Sequence, residues 1–144
     1  MLIQSLPPGE TEWAKSGRQT GKSDIPLTPK GVEQVASTAS HLVGAGKLLD
    51  PAKVVRVFVS PRRRAMQTFE QLCAGSTSPG TTTMATTDAV FAPEMVTVTE
   101  DIAEWDYGDY EGITEGETRV LRKERGLDVE RKWDVWRDGC EGGE

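Results

Sequence analysis

The sequence predicts an α/β fold, and three features carry that expectation. Residues 53–59, KVVRVFV, form a short, mostly apolar, β-branched run of the kind buried in a parallel sheet. Ser60 and Pro61 follow at once and start a helix, with Ala65, Met66, Phe69, Leu72 and Cys73 as its apolar stripe. An earlier helix is marked by Thr28 as N-cap and Pro29 at its first position. Strand, sharp turn and helix in succession point to a layered α/β arrangement.

In chain order, Met1, Leu2 and Ile3 have the composition of a strand end. Pro7 and Pro8 cannot sit in a central strand, because proline donates no ladder hydrogen bond. Residues 9–27 are rich in Gly, Ser, Thr and Lys and read as loop. The helix after Thr28 places Val32, Val35, Ala36, Ala39, Leu42 and Val43 on one face, and Gly44 or Gly46 is placed to end it. His41, the single histidine, falls opposite that stripe. Residues 74–93 are Ser-, Thr-, Gly- and Ala-rich and are expected to be a long surface loop or insertion with little to bury. Val96 and Val98 alternate with threonines as in a short strand. Residues 101–112, DIAEWDYGDYEG, are acidic and aromatic and read as loop. Thr114 and Glu117 make a capping box for a third helix, which Gly126 can close. Trp133, Val135 and Trp136 follow, and no element closes the final GCEGGE.

Composition bounds the function. A chain of 144 residues is one domain by length. Seventeen basic against 23 acidic residues give a net charge of −6, which argues against a dedicated nucleic-acid binder. The longest apolar run is far short of a membrane span, so no membrane partner is expected. Cys73 and Cys140 are isolated in sequence and fit neither a disulfide framework nor a zinc site; no metal is expected. Residues 1–6 lack a signal peptide's basic start and its length, which leaves a cytoplasmic protein as the expectation.

Four places invite a chemical reading. Arg62, Arg63 and Arg64 stand in the first turn of the helix after the apolar strand. Cations are disfavoured at a helix N-terminus unless an anion sits there, so the triplet either frames an anion site or points into water. Glu104, flanked by Trp105 and Tyr107, is either a general acid of raised pKa or a solvated loop residue. Gly17, Gly21, Lys22 and Ser23 imitate a phosphate loop. The spacing fails, because Gly17 and Gly21 enclose only three residues and Ser16 stands at the required glycine. His41, with no adjacent acid, reads as a surface histidine.

Four motifs in order, GETEW from Gly9, SGRQTGKSDIPLT from Ser16, SPRRRAMQT from Ser60 and EWDYGDYEG from Glu104, resemble the histidine phosphatase superfamily. LRKERGLD and KWDVWRDGCEGGE resemble its fungal sedoheptulose 1,7-bisphosphatase branch. The resemblance implies a three-layer α/β/α phosphoglycerate mutase-like fold. It also implies a phosphohistidine mechanism that needs no metal or cofactor, with catalysis by positioning and charge stabilisation. Carried over residue by residue, Arg64 matches a phosphate-pocket arginine and Glu104 the proton donor. Thr20, Gly21 and Tyr107 match substrate-binding positions, and Arg62 and Arg63 are candidate contacts to a second phosphate. The implied substrate is a phosphorylated sugar, sedoheptulose 1,7-bisphosphate or fructose 1,6-bisphosphate.

The departures from the family pattern are as informative. Pro7 and Pro8 stand where the family has its Arg-His, with Pro8 at the nucleophile's position, and the second pocket histidine has no counterpart. The chain is therefore expected to be a partial domain, incomplete at both ends, with negligible phosphatase activity and a marginal fold. The alternatives are a catalytically dead protein that binds phosphorylated ligands or partners and, for a completed chain, a mutase or broad-specificity phosphatase.

Overall fold

The computed structural model describes residues 3–74 and 90–143. Its elements are α1 (Glu12–Ser16), α2 (Pro29–Leu42), β1 (Val57–Val59), α3 (Arg63–Ala74), β2 (Val96–Val98), α4 (Glu115–Glu124) and α5 (Val135–Asp138). Short 3-10 turns lie at Pro93–Met95, Glu100–Ile102 and Gly108–Tyr110. The α/β expectation holds. β1 and β2 pair in parallel, Val57 with Val96, Phe58 with Thr97 and Val59 with Val98. Helix α2 packs on α3, and α3 on β1.

Helix α2 forms for the reasons read from sequence. The Thr28 hydroxyl accepts from Gly31 N–H at 2.9 Å, and proline occupies the first turn. Its stripe buries Val35 and Ala39 in a core with Leu27, Val43, Leu72 and Phe91. It ends at Leu42, ahead of both glycines, because Val43 turns extended and enters that core. His41 is exposed, and its Nδ1 lies 3.0 Å from Ser37 O.

Helix α4 carries the full capping box between Thr114 and Glu117. Gly126, at φ 71°, takes the left-handed position after it. Gly126 N–H donates to Lys123 O and Leu127 N–H to Arg122 O, the paired bonds of a Schellman ending.

Several expectations need correction. The strand is shorter than residues 53–59 and is not buried on both faces: Val55 is 85% exposed and Phe58 57%. Among the described residues the sheet has two strands. Helix α3 begins at Arg63, not at the Ser60–Pro61 step. Ser60 Oγ lies 3.5 Å from Arg62 N–H, too long for a firm cap, whereas Asp24 accepts from Arg63 N–H at 2.6 Å. The cap thus comes from a distant residue. Residues 9–27 are not all loop: α1 sits between Thr11, which caps Ala14 N–H at 3.1 Å, and left-handed Gly17. Five residues, none of them fully buried, leave no periodic signal.

The expected surface loop at 74–93 lies outside the described residues over 75–89. Its C-terminal end does bury something: Phe91 is in the core, stacked on Phe69 at 6.2 Å.

The acidic stretch 101–112 leads into a second core. Tyr110, fully buried, meets Trp133 edge-on at 5.3 Å, with Cys140 beside them. Arg122 lies over both rings, 5.8 Å from Tyr110 and 5.6 Å from Trp133. Its guanidinium bonds Tyr110 OH, Asp128 and Glu141 at 2.7–2.8 Å. Residues 139–143 are therefore tied down by Glu141, although they form no regular element.

Candidate functional site

The site is assembled where the chain start, the loop at residues 18–23, the N-terminus of α3 and the acidic stretch meet. The backbone at residues 9–11 is fixed from both sides. Gly9 N–H donates to Thr68 Oγ1 on α3 at 3.0 Å, and Thr28 N–H donates to Glu10 O at 2.9 Å. Gly31 makes this crossing possible, since a Cβ there would strike the Glu10 carbonyl.

Arg64 is buried, and its guanidinium faces the 18–23 loop. Nη1 donates to Ser23 O at 2.9 Å; Nη2 donates to Gly21 O at 2.9 Å and Thr20 O at 3.2 Å. Three of its five N–H donors are committed this way. Burial pulls its pKa below the ordinary arginine value, opposed by the nearby Glu104 carboxylate.

On the other side of the same loop stands Glu111. Its Oε1 accepts from Gly21 N–H at 3.0 Å and Ser23 N–H at 2.9 Å. Lys22 reaches Asp106 on the acidic stretch, and that contact holds the Asp106 carboxyl below the usual carboxylate range. Gly21 is buried against Trp105 so closely that a Cβ would run into the Trp105 carbonyl oxygen.

These contacts shape a cleft of ≈ 390 Å³, within the range of small-molecule sites. Arg64, Glu104, Tyr107 and Thr20 all line it, together with Pro8 and Gly9. Glu104 is exposed there, and its carboxylate accepts from Trp105 N–H at 3.0 Å. Of the flanking aromatics, Tyr107 shares the cleft with it, whereas Trp105 packs on Trp136 at 5.7 Å. Burial, with Glu104 nearby, raises the Tyr107 pKa, so its hydroxyl stays a neutral donor. A cleft with a buried cation, a phenol donor and an adjacent carboxylate can bind an anion and pass a proton to an oxygen beside it.

The remaining sequence candidates stand elsewhere. Arg62 pairs with Glu100 at 3.1 Å. Arg63 is exposed at the start of α3, and neither arginine lines the cleft. The triplet therefore splits, since successive helical residues point in different directions. Gly21 shapes the loop from behind without lining the cleft.

Sequence reasoning missed Glu111, Arg18 and Gln19. Arg18 and Gln19 line the cleft, and Arg18 also bonds Gly112 O. Their places are set by backbone pairing of Gln19 with Ile113 and Gly112, a long-range contact with no local signature. Among the described residues no group of histidine, cysteine or carboxylate side chains is arranged to hold a metal ion. No helix there is long and apolar enough to cross a membrane.

The model of the histidine phosphatase superfamily (branch 1) matches residues 9–144. Sedoheptulose 1,7-bisphosphatase of Saccharomyces cerevisiae is 43% identical over 136 residues, 94% of this chain and 46% of that protein. An acid phosphatase of Mycobacterium tuberculosis is 37% identical over 136 residues, 94% of this chain and 51% of that protein. The chain thus spans about half the length of these relatives. The solved structure of the product of M. tuberculosis open reading frame Rv3214 matches with a TM-score of 0.61 and 32% identity, over 95% of this chain and 54% of that one. The alpha-ribazole phosphatase of Shigella flexneri matches with a TM-score of 0.61 and 22% identity, over 94% and 55%, a likeness of fold.

Proposed function

The chain belongs to the histidine phosphatase superfamily (branch 1) and has its α/β fold; from that premise we propose that its cleft is the phosphate-ester site of a sugar-phosphate phosphatase of the sedoheptulose or fructose bisphosphate type. One observation carries this reading: Arg64, Glu104, Tyr107 and Thr20, scattered along the sequence, line one cleft. Arg64 takes the phosphoryl oxygens as a charged donor. Glu104 gives its proton to the leaving oxygen. Tyr107 and Thr20 supply neutral donors to the rest of the ester. The sedoheptulose bisphosphate reading follows the name of the yeast relative, and fructose 1,6-bisphosphate follows the family resemblance.

By the family resemblance, turnover passes through a phosphohistidine. The single histidine of this sequence, His41, is exposed on α2 and does not line the cleft. Pro8 lines it instead. That observation favours a second reading for the 144 residues as they stand, in which they bind the phosphate ester and release nothing.

Calorimetric titration with inorganic phosphate and fructose 1,6-bisphosphate tests both readings. The expected result is saturable binding that Arg64→Ala removes, with phosphate release no faster than in Glu104→Ala. Absence of binding sinks the site. Release well above the Glu104→Ala rate sinks the inactive reading and leaves the phosphatase reading standing.

A further inference from the structure

Beside the phosphate cleft lies a second cleft of ≈ 330 Å³, and Gln19 and Tyr107 line both, so the two adjoin. The second is further lined by Glu115, Trp133, Asp134 and Trp136. Its chemistry differs from that of its neighbour. Trp136 is 80% exposed, although its indole is held edge-on by Trp105 at 5.7 Å. An uncovered indole is a platform for a flat apolar face.

The polar lining is dominated by acceptors. Gln19 Oε1 is buried with no hydrogen-bond partner among the described residues, while its Nε2 donates to Thr118 Oγ1 at 3.2 Å. That oxygen is closed off from the cleft, so the open acceptors are the carboxylates. Glu115 and Asp134 add carboxylates, and no lysine or arginine lines the cleft. A phosphate, which offers only acceptors and negative charge, finds no cation here. A cation is not demanded either: Glu115 already pairs with Arg119, and Asp134 accepts from Trp136 N–H at 3.0 Å.

Resting on the reading that phosphate binds at Arg64, we propose that this second cleft holds the uncharged, hydroxyl-bearing body of the phosphorylated sugar. Trp136 stacks on its C–H face, and Glu115 and Asp134 accept from its hydroxyls. A second phosphate, where the substrate carries one, is held outside this cleft. Trp136 is then a specificity residue, touching the sugar but not the reacting phosphate.

The test compares Kd values of the 144-residue chain for inorganic phosphate, fructose 6-phosphate and fructose 1,6-bisphosphate, in the parent and in Trp136→Ala and Trp136→Phe. We expect the hexose phosphate to bind more tightly than phosphate itself. Trp136→Ala should weaken both sugar phosphates by about fivefold and leave phosphate unchanged, and Trp136→Phe should restore most of the loss. Failure of inorganic phosphate to bind overturns the phosphate site, and this subsite with it. Phosphate binding with no selective loss in Trp136→Ala overturns the subsite alone. So does a larger Trp136→Ala loss for the bisphosphate than for the monophosphate, because the second phosphate would then sit in this cleft.

Discussion

Glu111 and Arg64 grip opposite sides of one loop. The Glu111 carboxylate takes the N–H groups of Gly21 and Ser23, and the Arg64 guanidinium takes the carbonyls of Thr20, Gly21 and Ser23. The two charges never touch in this arrangement, yet each fixes the peptides to which the other bonds. Charge-assisted hydrogen bonds are about twice as strong as neutral ones. Glu111→Ala should therefore cost about 2–3 kcal/mol in urea unfolding and weaken phosphate binding by about tenfold. Glu111→Gln keeps one acceptor oxygen and should fall between. If Glu111→Ala unfolds the chain more easily but leaves phosphate affinity intact, the loop does not orient Arg64.

Arg64→Lys should behave like Arg64→Ala in the same titration. A lysine is a point charge and cannot span three carbonyls from one planar fork. Recovery of parental phosphate affinity by lysine would mean that charge alone, without the fork, makes the site.

Gly21 answers a different constraint, the close approach of Trp105. Gly21→Ala should destabilise by about 1–3 kcal/mol through forced displacement of the acidic stretch. The midpoint in urea should fall at an unchanged slope. An unchanged midpoint would mean that the loop and the acidic stretch do not pack as closely as described.

Arg122 holds the second core. Its side chain is 8% exposed, and it satisfies Asp128, Glu141 and the Tyr110 hydroxyl together. Arg122→Met should cost about 3–5 kcal/mol, because it strands a carboxylate in a low-dielectric setting. Adding Asp128→Asn should recover part of that loss, read as a coupling energy in a double-mutant cycle. Strict additivity would show that the pair is not coupled.

The contrast between Glu104 and Glu111 shows how far the sequence could be read. Glu104 lies within a recognisable motif, and Arg64, Thr20 and Tyr107 likewise come from motifs whose order was legible. Thr28, Thr114 and Gly126 were legible for a local reason, since caps and left-handed endings are written within a few residues. Glu111 was also in plain view, but its role depends on pairing between residues 19 and 112–113, which no periodicity encodes. Asp24 as the cap of α3 and Glu141 as the partner of Arg122 are long-range in the same sense. The strand at residues 53–59 misled because a β-branched run signals burial on both sides only where other elements cover both faces of the sheet.

Acid should loosen the loop through Asp106. Its carboxyl titrates below the ordinary value because of Lys22 and, next, the Gly108 N–H. A depressed folded-state pKa means that the stabilisation is fully present above the unfolded value of about 3.9 and is lost as pH falls through the folded value. The Lys22–Asp106 contact should therefore persist from neutral pH down to about 4 and fail below it. Added salt should weaken it at any pH, since Lys22 is exposed. Asp106→Asn should flatten the acid limb of a stability–pH curve. An identical acid limb in that variant would remove Asp106 from the account.

The two-stranded sheet carries the last prediction. Phe58 leaves 57% of its surface in water on one face of β1, and no third strand pairs with the sheet among the described residues. An apolar face beside an unpaired strand edge is a template for association. The 144-residue chain should therefore self-associate as concentration rises, seen as growing mass in light scattering. Phe58→Lys should suppress this without lowering the unfolding midpoint, because the side chain it replaces is mostly solvated. A chain that stays monomeric at high concentration, or a Phe58→Lys variant that associates as readily as the parent, would mean that this face is not the contact.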